Sequence, residues 1–217
     1  MTKTKDVRQA VDSELTFDPL VDATDIKVVN INGEVALNGT VPSYPQYLEA
    51  AVAAQRVDGV KDVHNHLEVK LSAADSRDDP TLTTSANNAL MLNATVPDGI
   101  EATAHNGDIT LTGIVSYGAE RSVAELTVGG LTGVRNVKDN IEIINDADTV
   151  DVTLNVQEAL DRYGLIPDDS DVVVDTSANT VTLSGHVRTW AEHDAVVDAA
   201  WMAAGVYEVR DDMYISG

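Results

Sequence analysis

The chain contains no cysteine, which excludes disulfides, thiolate metal ligands and a cysteine nucleophile together. Aromatic residues are scarce at 4%, with one phenylalanine and two tryptophans among 217 residues. Positive charge is scarce too: 14 basic residues stand against 36 acidic ones, for a formal net charge of −22. No cluster of lysine and arginine reverses that field locally, so nucleic acid phosphates and anionic lipid headgroups are repelled, and nucleic acid is not expected as a partner. The acidity by itself reads as solubility, in keeping with a salty surrounding, and it names no function. No apolar run approaches the roughly 20 residues that cross a bilayer, so no transmembrane segment is expected. The opening MTKTKDVRQAVDSEL places Asp12 and Glu14 inside an amphipathic pattern where a secretory signal needs an uninterrupted apolar stretch. The location expected for the chain as it stands is cytoplasmic, or periplasmic if a signal was removed.

What is present is repetition. A pair of glycines 20 residues apart occurs three times: Gly39 with Gly59, Gly113 with Gly133, and Gly185 with Gly205. Successive copies are offset by 74 residues (113 − 39) and 72 (185 − 113). One repeat therefore fills the chain three times, over 5–72, 80–145 and 149–217, and leaves no room for a separate catalytic domain. The pattern lapses at Ser72 to Pro80 and at Asn145 to Asp151, two short acidic linkers. A repeat near 70 residues buries only about 60% of its unfolded surface, so each core is expected to gain from its neighbours.

Within a repeat, apolar residues spaced by four mark one face of an opening helix: Val7, Val11, Leu15; Leu82, Ala86, Leu90; Val152, Val156, Leu160. A short apolar stretch follows (Ile26 to Ile31, Ile100 to Ala104, Val172 to Val174), then a turn, then a strictly alternating run through Val35, Leu37 and Val41 and their equivalents. The turns are Asn32-Gly33, Asn106-Gly107 and Ala178-Asn179; the first two are strong hairpin signals because a type I′ turn needs positive φ at both central residues. Gly39, Gly113 and Gly185 interrupt the alternation where a backbone approach or bulge is expected. A second helix opens with capping-box spacing at Ser43 to Gln46 and Thr189 to Glu192, and at Ser116 or Tyr117 before Glu120. Its interior is alanine-rich in the first and third copies, which lets it lie close on a sheet. Gly59, Gly133 and Gly205 are placed as left-handed C′ residues ending that helix, with Gly129-Gly130 interrupting its last turns in the middle copy. A third strand with the pattern Gly-Val-x-x-Val-x-Asn/Asp-x-apolar closes each copy. The expected fold is α+β: three tandem αββαβ repeats, each a three-stranded mixed sheet with both helices on one face.

The glycine before the second helix, the Gly-Val after it and the Val-x-Asn/Asp-x-apolar strand resemble the BON domain of OsmY-like and transport-associated proteins. GTVPSYPQYLEAAVAAQRVDGVKDVHNHLEV is a complete example, and the resemblance covers essentially the whole chain as three copies. It implies a non-enzymatic binding or interaction protein tied to osmotic or general stress and envelope homeostasis, with phospholipid binding as the alternative. It carries over no catalytic residue and no cofactor. The chain departs from periplasmic members in lacking a signal, and its third copy lacks the Asn-Gly turn.

Residue types with chemistry to offer are few. His64 and His66 are two apart on the expected third strand and share a face, but no third ligand accompanies them, so no metal is expected. His105, His186 and His193 are scattered singly and read as surface or turn residues. The acidic groups Asp146, Asp148, Asp151 and Asp168, Asp169, Asp171 lack the glycine and terminal glutamate of a calcium loop. No nucleophile elbow, phosphate loop or His-Glu-x-x-His helix occurs, and enzyme activity is not expected. Trp190 and Trp201 are 11 apart, three helical turns on one face, with Tyr44 at the first position in copy one. These three are the candidate contacts for a protein partner, a lipid or another apolar ligand, with self-association among the outcomes; packing between repeats is the competing reading.

Overall fold

The computed structural model describes residues 6–144, 152–162, 171–177 and 179–215. In the first repeat α1 (Val7–Phe17) leads through a one-turn 3₁₀ helix (Ala23–Asp25) into β1 (Ile26–Ile31), β2 (Glu34–Val41), α2 (Tyr44–Gln55) and β3 (Asp62–Val69). The second follows with α3 (Asp79–Leu92), β4 (Glu101–His105), β5 (Asp108–Val115), α4 (Gly118–Gly129) and β6 (Asn136–Ile143). The third has α5 (Val152–Arg162), β7 (Val173–Ser177), β8 (Thr180–Val187), α6 (Trp190–Met202) and β9 (Glu208–Ile215). The strand orders are β1-β2-β3, β4-β5-β6 and β7-β8-β9. In the first and third repeats the hairpin pair is antiparallel and the last pair parallel, the mixed sheet that a helical crossover between neighbouring strands demands.

Contacts gather the chain into two compact units. One takes the described residues of Met1–Asn88, Ala102–Thr110 and Thr127–Lys138, the other those of Ala89–Glu101, Leu111–Leu126 and Asp139–Gly217. The division runs through the middle repeat.

Alternation decides the cores. Val35, Leu37 and Val41 of β2 turn inward and are buried with Val11 and Leu15 of α1 and Ala50, Ala53 and Ala54 of α2. Val181, Leu183 and Val187 do the same against Val156, Val196, Ala199 and Ala200. The opposite faces of these central strands are polar: Glu34, Asn38 and Thr40 in β2, Thr180, Thr182 and Ser184 in β8. Both helices therefore cover one face of each sheet.

The glycines inside the second strands have the backbone task expected of them. At Gly39 φ is +126°, and a Cβ would sit 1.9 Å from the carbonyl oxygen of Asp25; at Gly185 it would sit 2.0 Å from that of Asp171. Only a residue without a side chain fits such an approach. The hairpin turns are also as expected, with φ of 57° and 97° at Asn32-Gly33 and 55° and 86° at Asn106-Gly107. Ala178 of the third turn, Asp146, Asp148, Asp151, Asp168 and Asp169, and the whole second linker lie outside the described residues.

Four expectations require correction. The first linker ends earlier than the sequence pattern suggests, because α3 begins at Asp79 and takes Pro80 into its first turn, where proline's missing N–H costs nothing. Gly59 is not a C′ residue: α2 ends at Gln55, and Gly59 is the third residue of a turn closed by Val60 N–H donating to Val57 O at 3.1 Å. Positive φ at that position is the type II requirement. Gly133 stands likewise in a turn closed from Val134 N–H to Leu131 O, and Gly205 follows the Ala203 cap by two residues. Gly129-Gly130 does not shorten its helix, because α4 ends at Gly129, the position equivalent to Gln55. The first copy forms no capping box: Ser43 makes no side-chain cap bond, and Gln46 Oε1 accepts instead from the Asp22 N–H at 2.7 Å. The box survives in the third copy, where Thr189 Oγ1 accepts from the Glu192 N–H at 3.1 Å and Glu192 Oε2 from the Arg188 N–H at 2.9 Å. In the second, Glu120 Oε2 accepts from the Ser116 and Tyr117 N–H groups at 2.9 and 3.0 Å.

Candidate functional site

The candidate aromatics take up distinct positions. Tyr44, at the first turn of α2, is buried at 4% exposure. It stacks on Tyr47 with ring centroids 5.6 Å apart, and its edge rests on Gly129 of α4, where a Cβ would come within 3.0 Å of the ring. Trp201, at the end of α6, lies over Gly118 at the start of α4, and a Cβ there would meet the indole at 2.0 Å. The Arg121 guanidinium sits 4.5 Å from the Trp201 ring centroid, and its Nε pairs with Asp139 at 3.1 Å. Each of these rings meets the middle repeat at a glycine, the residue that gives an aromatic face room against a helix backbone.

Trp190 opens α6. It packs on the third core together with Trp201 and meets His193 edge-on, ring centroids 5.0 Å apart. His193 corrects a sequence expectation, because it is not a lone surface histidine. Its side chain is 13% exposed, with Nδ1 3.1 Å from Asp194 Oδ1 and Nε2 2.6 Å from Asp211 Oδ2. Burial pulls its pKa down, and the bond to Asp194 together with the charge and bond of Asp211 outweighs that, so the net shift is upward from 6.5. Asp198, a turn further along α6, is held above the usual carboxylate range by burial and by the charge of Asp194. The sequence places His193 and Asp194 side by side and gives no further sign of this cluster. Asp211 comes from β9.

His64 and His66 share a face of β3 as expected, their rings parallel to within 13° and 6.3 Å apart, both exposed. Asp62 Oδ2 lies 3.3 Å from His64 Nε2. Among the described residues no three His, Cys, Asp or Glu side chains converge on a metal position. His186 leans on the exposed Tyr214 at 4.0 Å between centroids, and His105 Nδ1 is 3.0 Å from Asn106 Nδ2 at the turn.

Two surface features escaped the sequence reading. Phe17, the single phenylalanine, is 84% exposed at the end of α1, with Leu20 exposed beside it; Met91, 76% exposed, and Leu92 stand at the equivalent end of α3. In the first unit, a cleft of about 290 Å³ runs between Pro42, Ser43, Pro45 and Gln46, Leu71 and Asp75, and the 130–134 turn. Among the described residues no helix is long and apolar enough to cross a membrane.

The chain has similarities among known proteins. Over 115 residues the chain is 30% identical to the outer membrane lipoprotein DolP of Haemophilus influenzae, an alignment that takes in 52% of this chain and 59% of that protein. Among solved structures it is similar to the C-terminal domain of CdsD, a structural protein of the type III secretion system of Chlamydia trachomatis, at 16% identity over 98% of each chain with a TM-score of 0.27. It is also similar to the periplasmic domain of the type III secretion inner membrane protein PrgH from S. typhimurium, at 9% identity over 88% of this chain and 99% of that one, TM-score 0.25. The BON domain matches three times, over residues 3–70, 78–145 and 148–217; the chain belongs to the BON-domain family, as three copies in tandem.

Proposed function

We propose that this chain is a non-catalytic interaction protein that meets an apolar partner through the ends of its opening helices, in the service of stress or envelope homeostasis. The observation that carries the reading is the exposure of Phe17 with Leu20 and of Met91 with Leu92 at equivalent helix ends in two repeats. A large side chain left in water at one spot of a repeat is explained by a partner more readily than by the fold, since Val11, Leu15, Leu82 and Leu90 already fill the inward faces of those helices. The histidine best placed for proton chemistry, His193, has a carboxylate on each ring nitrogen, which leaves neither free to serve a nucleophile. A protein partner is the first reading, because a net charge of −22 opposes anionic headgroups.

The test is capture from the native host with the wild-type chain and with Phe17→Ser/Leu20→Ser and Met91→Ser/Leu92→Ser variants. A partner held by the wild type and lost by either variant supports the reading; one retained by both removes the helix ends from it. The second reading is phospholipid binding, the alternative that membership of the BON-domain family brings with it. Co-sedimentation with zwitterionic and anionic vesicles across salt separates the two, and no binding to either vesicle rejects the lipid version.

A further inference from the structure

His193 projects from α6 across to β9, and what faces it is unusual. Each ring nitrogen meets a carboxylate oxygen: Nδ1 that of Asp194 on the same helix at 3.1 Å, Nε2 that of Asp211 on β9 at 2.6 Å. An ionised carboxylate only accepts, and a neutral imidazole has one N–H to donate. Only the imidazolium, with two N–H groups, satisfies both contacts; in the neutral ring a lone pair points at one carboxylate. The ring itself is mostly withdrawn from water and met edge-on by Trp190, while its two carboxylate partners reach solvent, their side chains 62% and 36% exposed.

We propose that His193 is a proton-operated latch that fastens α6 to β9 when protonated and loosens that contact, together with the seat of Trp190, when the proton leaves. Its charged surroundings are few. On α6 the facing group is Asp194, itself within the field of Asp198. On β9 it is Asp211, which also accepts from the Met213 N–H at 3.1 Å and is thereby fixed in place. Arg188 and Glu192, at the opening of α6, are turned to each other at 3.8 Å. Glu158, Asp161 and Arg162 of α5 are exposed, and His186 of β8 is engaged with Tyr214; Asp194 and Asp211 are the charges that act on the ring.

The sign follows from the upward shift. A group protonated more readily in the folded chain stabilises it fully below its unfolded value of 6.5, and that contribution is lost as pH rises through the higher folded value. The latch is closed in acid and opens toward alkaline pH, across the range in which histidine serves as a switch.

The experiment is an NMR titration of the full chain from about pH 5.5 to about pH 9, following the His193 imidazole and the indole N–H signals of Trp190 and Trp201. The expected result is a His193 midpoint above 6.5, with the Trp190 signal moving along the same curve and Trp201 unmoved by it. Asp211→Asn lowers the midpoint, and His193→Gln abolishes the Trp190 transition. A wild-type His193 midpoint at or below 6.5, a Trp190 signal that does not follow it, or a Trp190 transition that persists in His193→Gln overturns the proposal. The wild-type titration decides even where a variant fails to fold.

Discussion

The Trp201 indole lies so close over Gly118 that a Cβ at that position would sit 2.0 Å from the ring. The third repeat reaches the second through this contact, and the Arg121 guanidinium lies over the same ring at 4.5 Å from its centroid. Gly118→Ala forces the indole to shift and is expected to destabilise the chain by about 1–3 kcal/mol, the usual cost of overpacking. Denaturant unfolding followed by tryptophan fluorescence measures it, and an unchanged midpoint argues that the ring has room to move aside.

Two glycines of positive φ give an internal contrast. Gly39→Ala drives a Cβ into the Asp25 carbonyl at 1.9 Å as well as straining a φ of +126°, whereas at Gly99, φ +95°, a Cβ meets nothing within 4 Å. The Gly99 variant is expected to cost only backbone strain, about 1–2 kcal/mol, and the Gly39 variant distinctly more, to the point of poor folding. Thermal melts of the pair decide the order; equal losses dispose of the close-approach account.

Arg56 gathers three carboxylates: Asp18 at 2.9 Å, Glu14 at 3.6 Å, and Glu49. Asp18 is the buried member, its side chain 3% exposed. Removing the guanidinium leaves that carboxylate with the Leu20 N–H at 2.8 Å and no cation. Arg56→Ala is therefore expected to cost about 1–3 kcal/mol, while Arg56→Ala combined with Asp18→Asn recovers part of the loss. A double-mutant cycle by chemical denaturation reads the coupling, and additive losses mean that the pair does not interact.

A net charge of −22 makes the folded chain repel itself. Screening shortens the reach of that repulsion to about 10 Å at 0.1 M salt, so the thermal midpoint is expected to climb as sodium chloride is raised from about 0.01 M to about 0.5 M. Calorimetry across that series is the check, and a flat or falling midpoint contradicts self-repulsion as a destabilising force.

What is local in this fold is legible in the sequence. Alternation through Val35, Leu37 and Val41 fixes which side of a strand is buried, because successive side chains point to opposite faces. Asn32-Gly33 fixes a hairpin because few residue pairs accept two positive φ angles, and Gly39 marks a backbone approach because nothing with a Cβ fits there. Repetition of those signs three times made the fold and the family legible. Where the reading failed locally, at Gly59 and Ser43, the sign was real but its partner lay elsewhere: Gly59 serves a turn after the helix, and Gln46 bonds Asp22 rather than completing a cap.

Which distant residues meet is a matter of packing between elements. Nothing in the spacing around His193 announces Asp211, 18 residues on in another element, and nothing around Arg56 announces Asp18, 38 residues back. Trp190 and Trp201 read in the sequence as one aromatic stripe, with Tyr44 at the position matching Trp190, yet in the folded chain it is Tyr44 and Trp201 that lie on glycines of the middle repeat, Gly129 and Gly118. Periodicity tells a side chain which way to face, since that depends on its own backbone; what it faces depends on how the chain returns, and the return is set by the packing of whole elements.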